Sequence, residues 1–132
     1  MPTTNNRNLT LTTVGANVTI NVTYNAVFSP FERFLAANGL VFQERISTIG
    51  VDPPGGFAGT TLNNFPAQNL PVTAGAAPQT IARNRSMTVT RASLQEDAGA
   101  GDADEIRCRI EIRVIGMPST TTDFTDQEVL LG

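Results

Sequence analysis

An antiparallel β-sandwich of seven or eight strands, with one short helix near residues 30–37, is the all-β fold this sequence predicts. Three observations carry the prediction. From Glu105 to Ile115 the residues Ile106, Cys108, Ile110, Ile112 and Val114 alternate with Glu105, Arg107, Arg109, Glu111 and Arg113. Successive strand side chains point to opposite faces, so a period of two marks a strand with one apolar and one wet face. From Asn17 to Phe28 the same period puts Val18, Ile20, Val22, Tyr24, Ala26 and Phe28 on one face, with Thr19, Asn21, Thr23, Asn25 and Val27 on the other. Finally, Pro/Gly-rich connections separate the alternating runs, as in sheet proteins built of hairpins and crossovers.

The elements follow in chain order. Residues 1–8 are polar and read as a loose lead-in to one domain spanning 1–132. Leu9, Leu11 and Thr13 then alternate with Thr10 and Thr12 as a first strand, ended by the turn signal Gly15-Ala16-Asn17. After the second strand, Ser29-Pro30-Phe31-Glu32 reads as a helix start. Ser29 is placed to cap, Pro30 to occupy the first helical position, and Glu32 to complete a capping box. Asn38-Gly39 stops the helix, Phe31, Phe34 and Leu35 form an apolar stripe, and the phenylalanines are expected to plug one end of the core.

Leu40–Val51 is a third strand whose parity slips between Leu40, Phe42 and Ile46 on one side and Val41, Ile49 and Val51 on the other. A bulge near Glu44-Arg45 restores both faces; the alternative sends Glu44 inward as a perturbed carboxylate. Asp52-Pro-Pro-Gly-Gly56 then breaks regular structure, and short edge strands are expected near residues 60–65 and 70–73. Ser86–Leu94 resumes as a strand with Met87 and Val89 inward, until Arg91-Ala92-Ser93-Leu94 loses the register. A short last strand is expected at 128–131. The inner faces of the second strand, of 86–94 and of 105–115 should form the core.

Composition narrows the chemistry. The chain has 132 residues, 40 % of them hydrophobic, with no Trp and one Tyr, so the core is aliphatic and phenylalanine-based. All nine cations are Arg, and there is no Lys and no His. Without His, Ser/His and Cys/His nucleophile systems are excluded; without Lys, so is a Gly-rich phosphate loop with its lysine. The net charge of −3 argues against a nucleic-acid partner, which asks for a basic footprint. No run of 18 apolar residues and no basic-then-apolar N-terminus marks a membrane span or secretory signal, so the chain reads as soluble, with its compartment open. Cys108 is the one cysteine and sits on the apolar parity of its strand, as a small core hydrophobe.

Charge is unevenly distributed. Residues 8–31 and 53–82 carry none, whereas 83–113 carry six Arg and six acidic residues. Charge depletion is a mark of interface centres, and also of loops and strands solvated by Thr, Asn and Gly. Within the charged region the stretch from Glu96 to Glu105 offers carboxylates with Gly for tight turns. Asp97, Asp102, Asp104 and Glu105 are the candidate oxygen donors for calcium, although the EF-hand spacing is not met. Arg107, Arg109 and Arg113 form an outward row, a candidate surface for anionic sugars or a partner's carboxylates; cross-strand pairing is the competing use.

The run Asp102-x-Asp104-x-Ile106-x-Cys108 resembles the Asp-x-Ala-x-Tyr-x-Cys run of immunoglobulin strand F over seven residues. Ile stands where that family has its tyrosine, and the second Cys and the Trp are absent. The resemblance implies a sandwich, immunoglobulin-like or jelly-roll-like, and no functional residue.

The expected function is a non-catalytic protein–protein interaction or assembly module, such as a structural subunit of a larger homo-oligomer or particle, with no cofactor. A lectin-like, calcium-assisted carbohydrate-binding module is the alternative. A carboxylate-dependent hydrolase using residues such as Glu32, Glu44 or Asp52 comes third.

Overall fold

A computed structural model describes residues 2–51, 59–94, 104–117, 120–126 and 128–130. Alternation at 17–28 and 104–114 makes each of those strands apolar on one side, and the fold buries both against each other. One sheet has the order β1-β2-β6, formed by β1 (Thr3–Val14), β2 (Asn17–Phe28) and β6 (Gln79–Thr90). The other has the order β4-β3-β7-β8, formed by β3 (Phe42–Val51), β4 (Gly59–Asn64), β7 (Asp104–Val114) and β8 (Thr120–Phe124). The two-residue β5 (Gln68–Asn69) also pairs with β3, and β9 (Glu128–Leu130) with β7. All pairings are antiparallel. The all-β sandwich is therefore the architecture of this chain.

Val18, Ile20, Val22, Ala26 and Phe28 of β2 and Ile106, Cys108, Ile110 and Ile112 of β7 are fully buried. They form one cluster with Leu9, Phe42, Ile46, Phe65, Leu70 and Leu94, and Met87 and Val89 pack partly buried against it. Each such aliphatic side chain contributes about 1.5–3 kcal/mol when taken from water. The Phe28 and Phe42 rings meet edge to face at 5.0 Å, joining the end of β2 to the start of β3.

Several boundaries differ from the sequence expectation, each for a physical reason. β1 begins at Thr3, and most of the segment expected to be loose is paired with β2, from Thr3 opposite Val27. Its polar residues carry no core signal because most of them face solvent. Asn6 has a left-handed φ of 52°, and Asn6 and Arg7 together oppose Tyr24 alone, as in a bulge. Val14 pairs with Asn17 around a two-residue turn at Gly15-Ala16, where Gly15 supplies φ of 60°.

The bulge expected near Glu44-Arg45 is absent. β3 pairs with β7 without a break from Phe42 opposite Val114 to Val51 opposite Glu105, so Glu44 points into the core. The register shift lies instead in the pairing with β4, between Thr48 and Ile49. The parity of β3 looked inconsistent because both of its faces are covered there: Ile46 and Thr48 are buried on one, Ser47 and Ile49 on the other.

β6 starts at Gln79, seven residues before the apolar alternation, and the register lost after Thr90 is a 3₁₀ turn over Arg91–Leu94 that drops Leu94 into the core. Helix α1 (Pro30–Ala37) has the full capping box: Ser29 Oγ accepts from the Glu32 amide at 3.2 Å, and Glu32 Oε1 from the Ser29 amide at 2.7 Å. Phe31 and Phe34 do not plug the core. They are 66 % and 59 % exposed.

Polar contacts close the two open sides. On one, Thr4 Oγ1 meets Asp123 Oδ2 at 2.5 Å, Arg7 Nε donates to the Phe124 carbonyl at 2.9 Å, and the Leu9 amide donates to Asp126 Oδ1 at 3.0 Å. On the other, Arg83 Nη2 donates to Gln68 Oε1 and Arg85 Nη2 to the Pro66 carbonyl, both at 2.7 Å.

Candidate functional site

Three parts of the surface and interior concentrate chemistry. The first is inside. The in-register run of β3 aims Glu44 at the opposite sheet, where the inward positions of β2 and β6 hold Tyr24, Arg83 and Arg85. The Tyr24 hydroxyl donates to Glu44 Oε2, Arg85 Nη1 donates to Oε1, and Arg83 Nε donates to Oε2 at 3.0 Å. Burial pushes the Tyr24 phenol above its ordinary range, and the adjacent Glu44 charge and hydrogen bond push it further. Burial works to lower the Arg83 guanidinium, but its hydrogen bond and attraction to Glu44 hold it above the ordinary value.

Glu44 is thus an inward carboxylate, one of the two alternatives the sequence left. Both of its oxygens are engaged by donors, and its side chain has no solvent exposure. The arrangement ties β3 to β2 and β6. Two guanidinium groups and a phenol hold this carboxylate in one place, as a tie between the sheets. Sequence reasoning missed Arg83 and Arg85 because a strand with arginines on its inward positions hides its alternation. The available signal was an Arg-x-Arg pair on the parity of Met87 and Val89, to be matched with one inward acid.

The second part is the outer face of the β3–β7 sheet, where the arginine row lies. Arg107 stands 4.3 Å over the Phe124 ring, Arg109 Nε is 2.9 Å from Glu111 Oε1, and Arg113 Nε donates to Gln43 Oε1 at 3.2 Å. Each member of the row has a partner within the chain. Beside Arg109 an open hollow of about 390 Å³ is lined by Arg45, Ser47, Asn64 and Glu111. Of the proposed calcium donors, Asp97 and Asp102 lie outside the described residues. Asp104 and Glu105 begin β7, opposite Leu130 and Val129, with the backbone alone described. Asp52 also lies outside the described residues.

The outer face of the other sheet explains one of the uncharged tracts. Cross-strand rows put Thr12, Thr19 and Thr88 side by side, then Thr10, Asn21 and Ser86. The Thr19 and Thr88 hydroxyls are 3.1 Å apart, and Asn21 Nδ2 donates to Asn84 Oδ1 at 2.8 Å. Neutral polar side chains satisfy one another there, so no charge is needed to solvate the face.

The third part is the end of the sandwich where β2 runs into α1, β3 begins and β7 stops. Phe31 and Phe34, three residues apart on α1, stack with centroids 6.5 Å apart. Val41, Ile115 and Met117 are also large apolar side chains left 38–47 % exposed there. Next to Phe31 opens a cavity of about 150 Å³, lined mainly by Leu35, Phe42, Ile112, Val114 and Met117. Glu32 and Arg113 also line this cavity. Arg33 donates to the carbonyls of Thr73, Ala74 and Ala77 at 2.6–2.7 Å, an approach so close that a side chain at Gly75 would overlap its guanidinium. Glu32 is buried in the capping box.

No helix among the described residues is long and apolar enough to cross a membrane. No family model matches this chain, and the curated proteins and solved structures hold no significant match to it.

Proposed function

We propose that the protein is a non-catalytic interaction or assembly module that makes its contacts through the α1 end of the sandwich. The observation that carries this reading is the exposed apolar surface of Phe31, Met117 and the Phe34 ring stacked on Phe31, beside an open apolar cavity that Phe31 and Met117 line. Large apolar side chains scattered singly are ordinary on soluble proteins, but a contiguous patch rimmed by polar residues marks a contact site. Arg33 is turned onto loop carbonyls, Glu32 onto the helix cap, and Arg113 in the cavity wall bonds Gln43, so covering the patch desolvates charges that already have partners in the chain.

A sugar also stacks on aromatic faces, but it needs hydrogen-bonding side chains around the ring. The cavity beside Phe31 has chiefly aliphatic and aromatic walls. An apolar protein surface is the better fit.

Sedimentation equilibrium over a hundredfold range of concentration tests the reading. Association that weakens when apolar residues at the α1 end are made polar is expected. A strict monomer at the highest concentration, with no partner-dependent change in mass, would overturn it.

A further inference from the structure

We infer that the hollow on the outer face of the β3–β7 sheet binds a sugar acid, whose carboxylate is held between Arg45 and Arg109. The site lies apart from the α1 end and does not depend on the assembly reading.

Strand register builds it. Arg45 of β3 is directly opposite Glu111 of β7, and Ser47 is opposite Arg109 on one side and Asn64 of β4 on the other. Arg45 and Arg109 are therefore diagonal neighbours, a spacing of roughly 7–8 Å that long side chains bridge. These five residues line the hollow of about 390 Å³.

Charge pairing within the hollow is incomplete. Glu111 stands opposite Arg45 in the ladder, yet it meets Arg109 instead, with Oε1 2.9 Å from Nε and outside the hydrogen-bonding direction of that N–H. Among the described residues, Arg45 has no hydrogen bond or ion pair, and the Nη groups of Arg109 have no acceptor. Arg33, Arg83 and Arg85, by contrast, each have at least two acceptors in the chain. A guanidinium presents its donors as a planar fork that fits a carboxylate. Two such forks share this hollow.

The rest of the lining selects the ligand. Two positive charges and one negative leave a single positive charge, which matches a monoanion; the second charge of a phosphate ester would meet the Glu111 carboxylate. Glu111 Oε2 has no donor among the described residues and is an acceptor for a hydroxyl. Ser47 Oγ donates to Asn64 Oδ1 at 2.9 Å, which leaves the Asn64 amide nitrogen as a donor. A simple carboxylate uses neither group. A hexuronic acid, with one carboxylate on a ring of hydroxyls, uses both, and the hollow is within the size range of small-ligand sites, about 300–1,000 Å³.

Proton–nitrogen correlation NMR of the whole chain, titrated with glucuronate, glucose and acetate, tests the site. Glucuronate should shift the amides of residues 45, 47, 64, 109 and 111 and bind roughly tenfold tighter than acetate, through its added hydrogen bonds. Glucose, without the charge, should give no saturable shift. Arg45→Ala should weaken glucuronate binding at least roughly tenfold, as loss of a hydrogen bond to a charged group does. Because Arg45 is exposed, its melting temperature should stay near that of the wild type; if the variant fails to fold, Arg109→Gln decides in its place. Glu111→Ala should bind acetate more tightly and lose much of the preference for glucuronate. Acetate binding as tightly as glucuronate to the wild type overturns the sugar acid. Glucuronate binding that survives Arg45→Ala unchanged, or is matched by glucose, overturns the carboxylate seat. Shifts confined to other residues, or none at about 10 mM glucuronate, overturn the site.

Discussion

Arg85 on β6 donates to Glu44 on β3 across the middle of the sandwich, and both side chains are buried. Burying two charges costs several kcal/mol each in lost hydration, and the pair recovers this through mutual attraction and further hydrogen bonds. Glu44 has those bonds from Tyr24 and Arg83, and Arg85 has one more to the Pro66 carbonyl.

Glu44→Leu alone should therefore destabilise the fold by about 3–5 kcal/mol, because it leaves two inward guanidinium groups without their acceptor. Replacing Glu44 with Leu, Arg83 and Arg85 with Met, and Tyr24 with Phe together should recover most of that loss. Urea unfolding measures both. A quadruple variant weaker than Glu44→Leu would show that the polar cluster contributes more than a packed apolar one.

Alkaline pH should loosen the fold. Cys108 is pushed up to about 12 by burial, offset only in part by the Thr48 hydroxyl, and Tyr24 is raised in the same direction by burial and Glu44. A thiol or phenol with a raised pKa keeps its proton when folded and gives it up more readily when unfolded. Stability is then full below the ordinary thiol range near pH 9 and falls as pH climbs toward 12, by about 1.4 kcal/mol per pH unit for each group in its window. Unfolding midpoints at pH 8, 10 and 11 test this, and Cys108→Ala should show a shallower decline.

Ile110→Asp should prevent folding. Ile110 has no exposed surface and pairs with Ile46 at the centre of the β3–β7 ladder, so a carboxylate there would have neither water nor a cation. A soluble variant with unchanged melting would refute the facing of β7.

Ser29→Ala should cost about 1 kcal/mol through loss of the helix cap, and Ser29→Asp should restore most of it. Because α1 carries Phe31 and Phe34, the same substitution should weaken association more than it lowers the melting temperature.

On the outer face, Arg107→Ala should cost about 0.5–1 kcal/mol through its lost stacking on Phe124. Arg109→Ala, whose ion pair with Glu111 is about one-third exposed, should cost a few tenths. Equal effects would mean that the ring contact contributes nothing beyond charge.

What was legible in the sequence followed from periodicity. β2 and β7 have unbroken apolar parity because one side of each is dry along its whole length, and their residues form the core as read. The cap of α1 was legible for the same reason, since Ser, Pro and Glu at fixed offsets have one local use. β8 was not visible: its inward positions are Thr121 and Asp123, opposite Ile112 and Ile110, and Asp123 meets Thr4 across the open side. Glu44, Arg83 and Arg85 were hidden because long-range charge pairing leaves no local pattern. Phe31 and Phe34 were assigned inward because helical spacing marks an apolar face without saying what covers it.

The bonds that Thr4, Arg7 and Leu9 make to residues 123–126 have a consequence for the time course of folding. They join positions well over a hundred residues apart, and β2 must also await β6 before its sheet has a third strand. Contacts of such separation form slowly, because loop closure must come before any contact energy is gained. A chain emerging from the ribosome has the β1–β2 hairpin long before β7 exists to cover Val18, Ile20 and Val22. For that interval its apolar face is bare, and the uncharged Thr/Asn rows on its back give no electrostatic repulsion between neighbouring nascent chains. Slow closure and early exposure together predict that the yield of folded protein falls as synthesis slows, and that slower translation after Thr90 harms it more than slower translation after Phe124.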